Sequence, residues 1–196
     1  MPRVSEDHLT ARREQILTAA RACFLRKGLH NTSMQDLIKE AGLSVGAVYR
    51  YFKSKDDIIA AIAEGVVGGI NRQIDLIASR RLPLTESLAL ILELVDQQTG
   101  PDGALPIGLQ IWAEATIDPT IGAIVRERYT GLRGRLRVLV EHAVESGELP
   151  AGSDIDEVAS AVYAMLPGYG LQRLLIGDPS REGFLRGMQA LYNRPA

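Results

Sequence analysis

GLSVGAVYRYFKSK, Gly42 to Lys55, is the stretch on which the reading of this chain turns. Just before it, SMQDLIKEA (Ser33 to Ala41) reads as a short helix, and Gly42 supplies the left-handed or tight-turn backbone that few side chains tolerate. Ser44 then caps a second short helix. Two short helices joined by a turn of about three residues containing glycine form a helix-turn-helix, whose second helix can enter the major groove of DNA. Val48 and Phe52, four apart, can face a core, while Val45, Gly46, Tyr49, Arg50 and Tyr51 cover the remaining arc with groups a solvated face does not need. Lys53 and Lys55 follow, and Ser54 caps a further helix whose free N–H groups favour an anion.

Working outward, TSMQDLIKEAGLSVGAVYRYFKSKDDII (Thr32 to Ile59) resembles the DNA-binding segment of the tetracycline-repressor (TetR) family of bacterial transcriptional regulators. The features that match are the A-G-x-S turn at Ala41 to Ser44, Tyr49, the Tyr51-Phe52 pair, Lys55 just inside the next helix, and the preceding Thr32-Ser33. With the first helix and the start of the fourth the likeness covers about a quarter of the chain, and beyond that it is of helical layout alone. Ile38 stands where the family often has alanine, which implies a slightly different angle between the two motif helices.

The resemblance implies an all-α protein of about nine helices, with a three-helix helix-turn-helix head at residues 1–55 and a larger ligand-binding and dimerisation domain at 56–196. It implies a double-stranded DNA operator, a small-molecule effector, and a homodimer paired through its last two helices as a four-helix bundle. Carried onto this sequence, it assigns Thr32, Ser33, Tyr49, Tyr51 and Lys55 to phosphates, and Gln35, Ser44, Val45, Gly46 and Arg50 to base edges. A glutamine can read adenine through paired hydrogen bonds. Capping alone also accounts for the hydroxyls of Thr32 and Ser33.

Charge is distributed in the same sense. Up to Lys55 there are ten Lys and Arg against five Asp and Glu, whereas the remainder has twelve against nineteen. A basic first quarter suits a polyanion, although chance clustering on a solvated surface accounts for charge alone equally well. No apolar run reaches membrane-spanning length and the N-terminus lacks a secretory apolar segment, so the protein is expected to remain in the cytoplasm. Cys23, the single cysteine, excludes an intrachain disulfide and a cysteine-based metal cluster, and falls on the core face of the first helix as a packed thiol. No metal site or cofactor is expected.

Along the chain, residues 1 to about 9 are polar and expected to fray. Ile16, Leu17, Ala20, Phe24 and Leu25 recur at helical spacing over Thr10 to Lys27, and Gly28 ends that first helix, whose outer face carries Arg12, Arg13, Arg21 and Arg26. Ser54 with Asp57 opens a fourth helix running to about Arg80 and loosened by Gly65, Gly68 and Gly69, a mechanical link from head to body. Pro83 opens a fifth helix, with Leu84, Leu88, Ile91, Leu92 and Val95 inward, and Thr99 to Pro106 reads as a loop. A sixth helix runs from about Ile107 to Ile117 around Trp112. Asp118-Pro119 starts a seventh that reaches about Ser146, with arginines 126, 128, 133, 135 and 137 spread around it and solvated or paired. His142 is expected at the surface or satisfied. Ser153 or Asp154 caps an eighth helix that Pro167-Gly168 should bend or split. Asp178-Pro179 starts a ninth, to about Asn193, with Phe184, Leu185, Met188, Leu191 and Tyr192 apolar.

Aromatic and uncharged groups where helices five to eight should converge make Trp112, Tyr129, Met165, Tyr169 and Gln172 candidates for an apolar or aromatic ligand, against the plain alternative that they are core. No glycine-rich phosphate loop, G-x-S-x-G or metal spacing occurs, so no enzyme activity is expected. A ligand-independent regulator, or a helical protein-interaction module that kept the head, are the alternatives to a ligand-released repressor. The presence of Tyr49, Tyr51 and Lys55 argues against the interaction module.

Overall fold

In the computed structural model, residues 6–100 and 103–192 are described, without the side chains of Glu6 and Tyr192. The fraying expected of residues 1–5, the Pro101-Asp102 part of the loop and the helix end at Asn193 lie outside the described residues. The described residues form nine α-helices and no strand: α1 (Glu6–Lys27), α2 (Met34–Ala41), α3 (Val45–Tyr51), α4 (Lys55–Ser79), α5 (Leu84–Thr99), α6 (Leu105–Ala115), α7 (Pro119–Glu145), α8 (Ile155–Ile176) and α9 (Arg181–Tyr192). The expected all-α class and helix order hold. Residues 6–9 are helical rather than frayed, because α1 starts one turn early.

Two compact units divide the chain, and packing draws the line elsewhere than the expected boundary at residue 55. The first unit joins residues 1–66 to residues 106–126. Its core is built by Ile16, Leu17, Ala20 and Phe24 of α1, Leu37 of α2, Val48 and Phe52, and Ile58, Ile59 and Ile62 of α4, completed by Ile107, Ile111 and Ile121. The last three come from α6 and the start of α7, so those segments bury their apolar face in the head rather than in a separate body. Each fully buried side chain of this size contributes about 1.5 to 3 kcal/mol relative to exposure.

The second unit comprises residues 67–105 and 127–196, around Ile74, Leu88, Ile91, Leu92, Leu136, Leu139, Val140, Val162 and Tyr169. Gly170 lets α8 approach α5 closely: a Cβ there would stand 3.0 Å from both Val95 Cγ1 and Leu105 Cδ2. Pro167 does not split α8, which is continuous from Ile155 to Ile176. The proline removes one backbone donor, but Val162, Leu166, Tyr169 and Gly170 are buried on both sides of it, and that packing carries the helix through. Asp178-Pro179, a cis peptide, precedes α9 rather than starting it. The start signal is Ser180, whose Oγ accepts from Gly183 N at 3.1 Å.

Among the arginines of α7, Arg135 pairs with Asp75 at 3.1 Å and Arg137 with Glu141 and Asp156, as a paired surface requires. Arg128 departs from that expectation, since its Nε is buried with no partner. His142 also departs from it: the ring is half-buried beside a cleft of about 340 Å³ lined by Arg81, Leu82, Pro83, Glu145, Ser146 and Glu148, and its Nδ1 lacks a partner. No helix among the described residues is long and apolar enough to cross a membrane.

Candidate nucleic-acid interface

Helix α2 is built to end its backbone in caps. Ser33 Oγ accepts from Asp36 N at 3.2 Å while Asp36 Oδ2 accepts from Ser33 N at 2.9 Å, a reciprocal capping box. Lys27 Nζ lies 2.6 Å from Asp36 Oδ1 and Arg26 2.6 Å from Glu40, which tie the end of α1 to α2. The Lys27 ammonium and then the Ser33 hydrogen bonds hold the Asp36 carboxyl far below the usual carboxylate range, and Arg26 does the same, less strongly, to Glu40. At the other end Gly42 adopts φ 63°, its N–H bonds Lys39 O at 3.2 Å, and Gln15 Nε2 of α1 donates to Ala41 O at 2.8 Å. Cys23 is buried as a packed thiol, and burial pushes its pKa up.

Ser44 Oγ then accepts from Ala47 N at 3.3 Å and starts α3. Val48 and Phe52 are buried, and the Arg13 guanidinium lies 5.4 Å from the Phe52 ring centroid. The opposite arc is open. Val45 is 60% exposed and Tyr49 38%, and Ser44, Gly46 and Arg50 are exposed with them. Gly46 has nothing within 4 Å of where a Cβ would stand. Ser33 and Gln35 are exposed at the start of α2, Ile38 packs partly buried on the head core, and Tyr51 is half-buried against that core.

Helix α4 opens with a second reciprocal cap, in which Asp57 N bonds Ser54 Oγ and Ser54 N bonds Asp57 Oδ2, both at 3.1 Å. Lys55, in its first turn, donates from Nζ to Leu29 O at 3.1 Å. Two of its three donors remain for a phosphate. Lys53 folds back to Tyr49 O at 2.7 Å.

Thr32 differs from the other expected phosphate residues. It is 2% exposed, its Oγ1 donates to Gly28 O at 2.7 Å, and the hydroxyl is therefore spent inside the head. Sequence reading missed Gln110, whose side-chain amide reaches the same turn from α6: Leu29 N donates to its Oε1 at 2.6 Å, and its Nε2 donates to Phe24 O at 3.2 Å. No local signal marks it, since 81 residues separate Gln110 from Leu29.

Of the expected ligand residues, Trp112 is half-buried in the first unit, and the other four lie in the second. There Tyr129 meets Tyr163 edge to face with centroids 5.5 Å apart, and burial pushes the Tyr163 hydroxyl up to about 12 and Tyr129 higher still. Met165 is half-buried. Tyr169 is fully buried, packs on Phe184, and donates its hydroxyl to Asp96 at 2.6 Å, where Arg173 also binds. Gln172 is exposed with its amide on Gly168 O. Tyr169 is thus part of the core and Gln172 is at the surface, while Tyr129 and Met165 are neither fully buried nor fully exposed. Among the described residues no group of three or more His, Cys, Asp or Glu could hold a metal ion.

Comparison with known proteins agrees with this geometry. Residues 16–62 match the model for bacterial regulatory proteins of the tetR family, and residues 83–190 match that for the C-terminal domain of BetI-type transcriptional repressors. The chain is 30% identical over 173 residues to the HTH-type transcriptional regulator PksA of Bacillus subtilis, covering 87% of this chain and 81% of PksA. Its fold is similar to that of Salmonella enterica GusR, with a TM-score of 0.76, 23% identity, and 95% and 96% of the two chains covered. It is also similar to Bacillus subtilis FadR in complex with stearoyl-CoA, with a TM-score of 0.78, 18% identity, and 91% and 96% covered. These two likenesses concern the fold alone. With the helix-turn-helix matched at one end and the repressor body over more than half of the chain, the protein belongs to the TetR family of bacterial transcriptional regulators.

Proposed function

We propose that the protein is a repressor that binds an inverted-repeat operator as a homodimer and is released by a small apolar or aromatic ligand. The observation that carries the DNA reading is the open arc of α3, where Val45, Gly46, Tyr49 and Arg50 stand exposed, together with the exposed Ser33 and Gln35 at the capped start of α2. In this reading α3 lies in the major groove with Val45 and Gly46 against base edges, Ser44 and Arg50 flanking them, and Gln35 reading from α2. Ser33, Tyr49, Tyr51 and Lys55 hold phosphates on either side. Thr32 serves by fixing the turn.

The dimer reading rests on α8 and α9. Leu175 and Ile176 are 70% and 74% exposed near the end of α8, and Leu171 and Leu191 are exposed as well, a clustering of large apolar groups that a solvated end does not need. A two-fold pair requires half-sites about 34 to 36 Å apart, or a multiple. Ligand release is supported by FadR, a regulator of the same fold that holds stearoyl-CoA. In this chain it would act through Tyr129 and Met165 of the second unit. Screening compounds for a shift in melting temperature, then testing hits for loss of DNA binding, checks that part. A tight binder that leaves DNA affinity unchanged refutes the coupling. Light scattering on the pure protein checks the dimer, and a monomer at micromolar concentration that binds DNA tightly contradicts it.

A further inference from the structure

We infer that Gln110 is a positioning residue for DNA binding, through which α6 holds the phosphate-contacting side of the head in place. The inference rests on the assignment of Lys55 to a phosphate and adds the residue that sets its geometry.

The turn after α1 is where three elements meet. Phe24 O, at the end of α1, accepts from Gly28 N at 2.9 Å and from Gln110 Nε2 at 3.2 Å. Leu29 is buried; its N–H donates to Gln110 Oε1 and its carbonyl accepts from Lys55 Nζ. Gly28 O accepts from Thr32 Oγ1, and Ser33 follows at once with the capped start of α2. A single peptide segment therefore joins α6, the ammonium of Lys55 and the N-terminus of α2.

Only an amide suits the place Gln110 fills. Leu29 N needs an acceptor and Phe24 O can take a second donor, and the two ends of one glutamine side chain supply both. Methionine has the length and neither group. Glutamate keeps the acceptor for Leu29 N but cannot donate to Phe24 O. With Gln110 gone, a buried N–H is left without a partner, and the Leu29 carbonyl that orients Lys55 loses the restraint on the other side of its residue. The helix bearing Gln110 packs Ile107 and Ile111 in the same core, so the amide is itself held.

The test is a double-mutant cycle of Gln110→Met with Lys55→Ala, read as affinity for the duplex that the wild-type protein selects from random-sequence DNA. Gln110→Met is expected to weaken binding about tenfold in the wild-type background, because the Leu29 carbonyl no longer fixes the Lys55 ammonium, and no more than about twofold once Lys55 is alanine. Gln110→Glu should stay within about threefold of wild type, and the Leu29 amide should exchange faster in the Met variant than in the Glu variant. Wild-type affinity for Gln110→Met overturns the inference, as does an equal loss in both Lys55 backgrounds. If Gln110→Met does not fold, Gln110→Glu decides: a loss above about tenfold overturns it. Should Lys55→Ala alone leave affinity and salt dependence unchanged, the phosphate assignment fails separately, and the Gln110→Met affinity in the wild-type background still judges the role of Gln110.

Discussion

Gly46→Leu separates fold from recognition at one position. Gly46 lies in the first turn of α3, is exposed, and has nothing within 4 Å of its missing Cβ, so the root of a side chain there is unobstructed. Glycine costs a helix about 0.8 to 1 kcal/mol relative to alanine, and leucine costs little more than alanine, so the substitution should stabilise the fold by roughly 0.5 to 1 kcal/mol. In a chain of 196 residues that raises the melting temperature by about 2 to 4 °C per kcal/mol. In the proposed complex the same side chain would have no room in the groove, because Gly46 is assigned to base edges by being small. Affinity for a selected duplex should therefore fall at least tenfold, about 1.4 kcal/mol, while stability rises. Gly134→Leu on the exposed face of α7 is the control, since it too has nothing within 4 Å and should stabilise without touching DNA affinity. Thermal denaturation with fluorescence anisotropy on both variants settles the point. A Gly46→Leu protein that binds as tightly as wild type would show that the first turn of α3 does not enter the groove.

Lys55→Ala should weaken all sequences alike and lower the salt slope by about one unit, whereas Gln35→Ala should relax preference at one base pair at a cost of roughly 1 to 3 kcal/mol; an unchanged slope for Lys55→Ala removes it from the phosphate set. Tyr169→Phe removes the donor to Asp96 without opening a cavity, and should cost about 1 to 2 kcal/mol in chemical denaturation while leaving DNA affinity alone. Asp36 and Glu40 have depressed carboxyl pKa values in the fold, so their stabilisation is fully present above the unfolded carboxyl range near 4 and is lost as pH falls through the lower folded values. Melting temperature should therefore not respond to these two groups from pH 5 to 8, and Asp36→Asn should flatten the drop below about pH 4; an unaltered acid limb contradicts the assignment.

What the sequence reveals and what it conceals divide along sequence distance. Gly42, Ser44 and the Ser54–Asp57 pair were legible because a cap or a left-handed turn is decided by residues within four positions. The open arc of α3 was legible for the same reason, since Val48 and Phe52 leave Val45, Gly46 and Tyr49 only one place to go. Thr32 was not, because its inward hydroxyl depends on a carbonyl at Gly28 that the turn presents only once α1 and α2 have packed. Gln110 was illegible outright, as an isolated glutamine in an apolar helix carries no signal of the backbone it will meet. A split at Pro167 was expected for a related reason: the local rule counts a lost hydrogen bond, while the burial of Leu166 and Tyr169 on either side keeps the helix continuous. The ligand residues were the least legible, since buried aromatics are chosen by the core as readily as by a ligand, and Tyr169 is buried with its hydroxyl on Asp96.

The most direct measurement of the central claim is selection of duplexes from random-sequence DNA by the purified full chain, followed by binding stoichiometry on the winner. The account expects an enriched inverted repeat whose half-sites lie about one helical turn or a multiple apart, bound by an even number of protomers, with enrichment lost in Gly46→Leu. A pool that shows no enrichment, or a selected site bound equally well by Gly46→Leu, would contradict it.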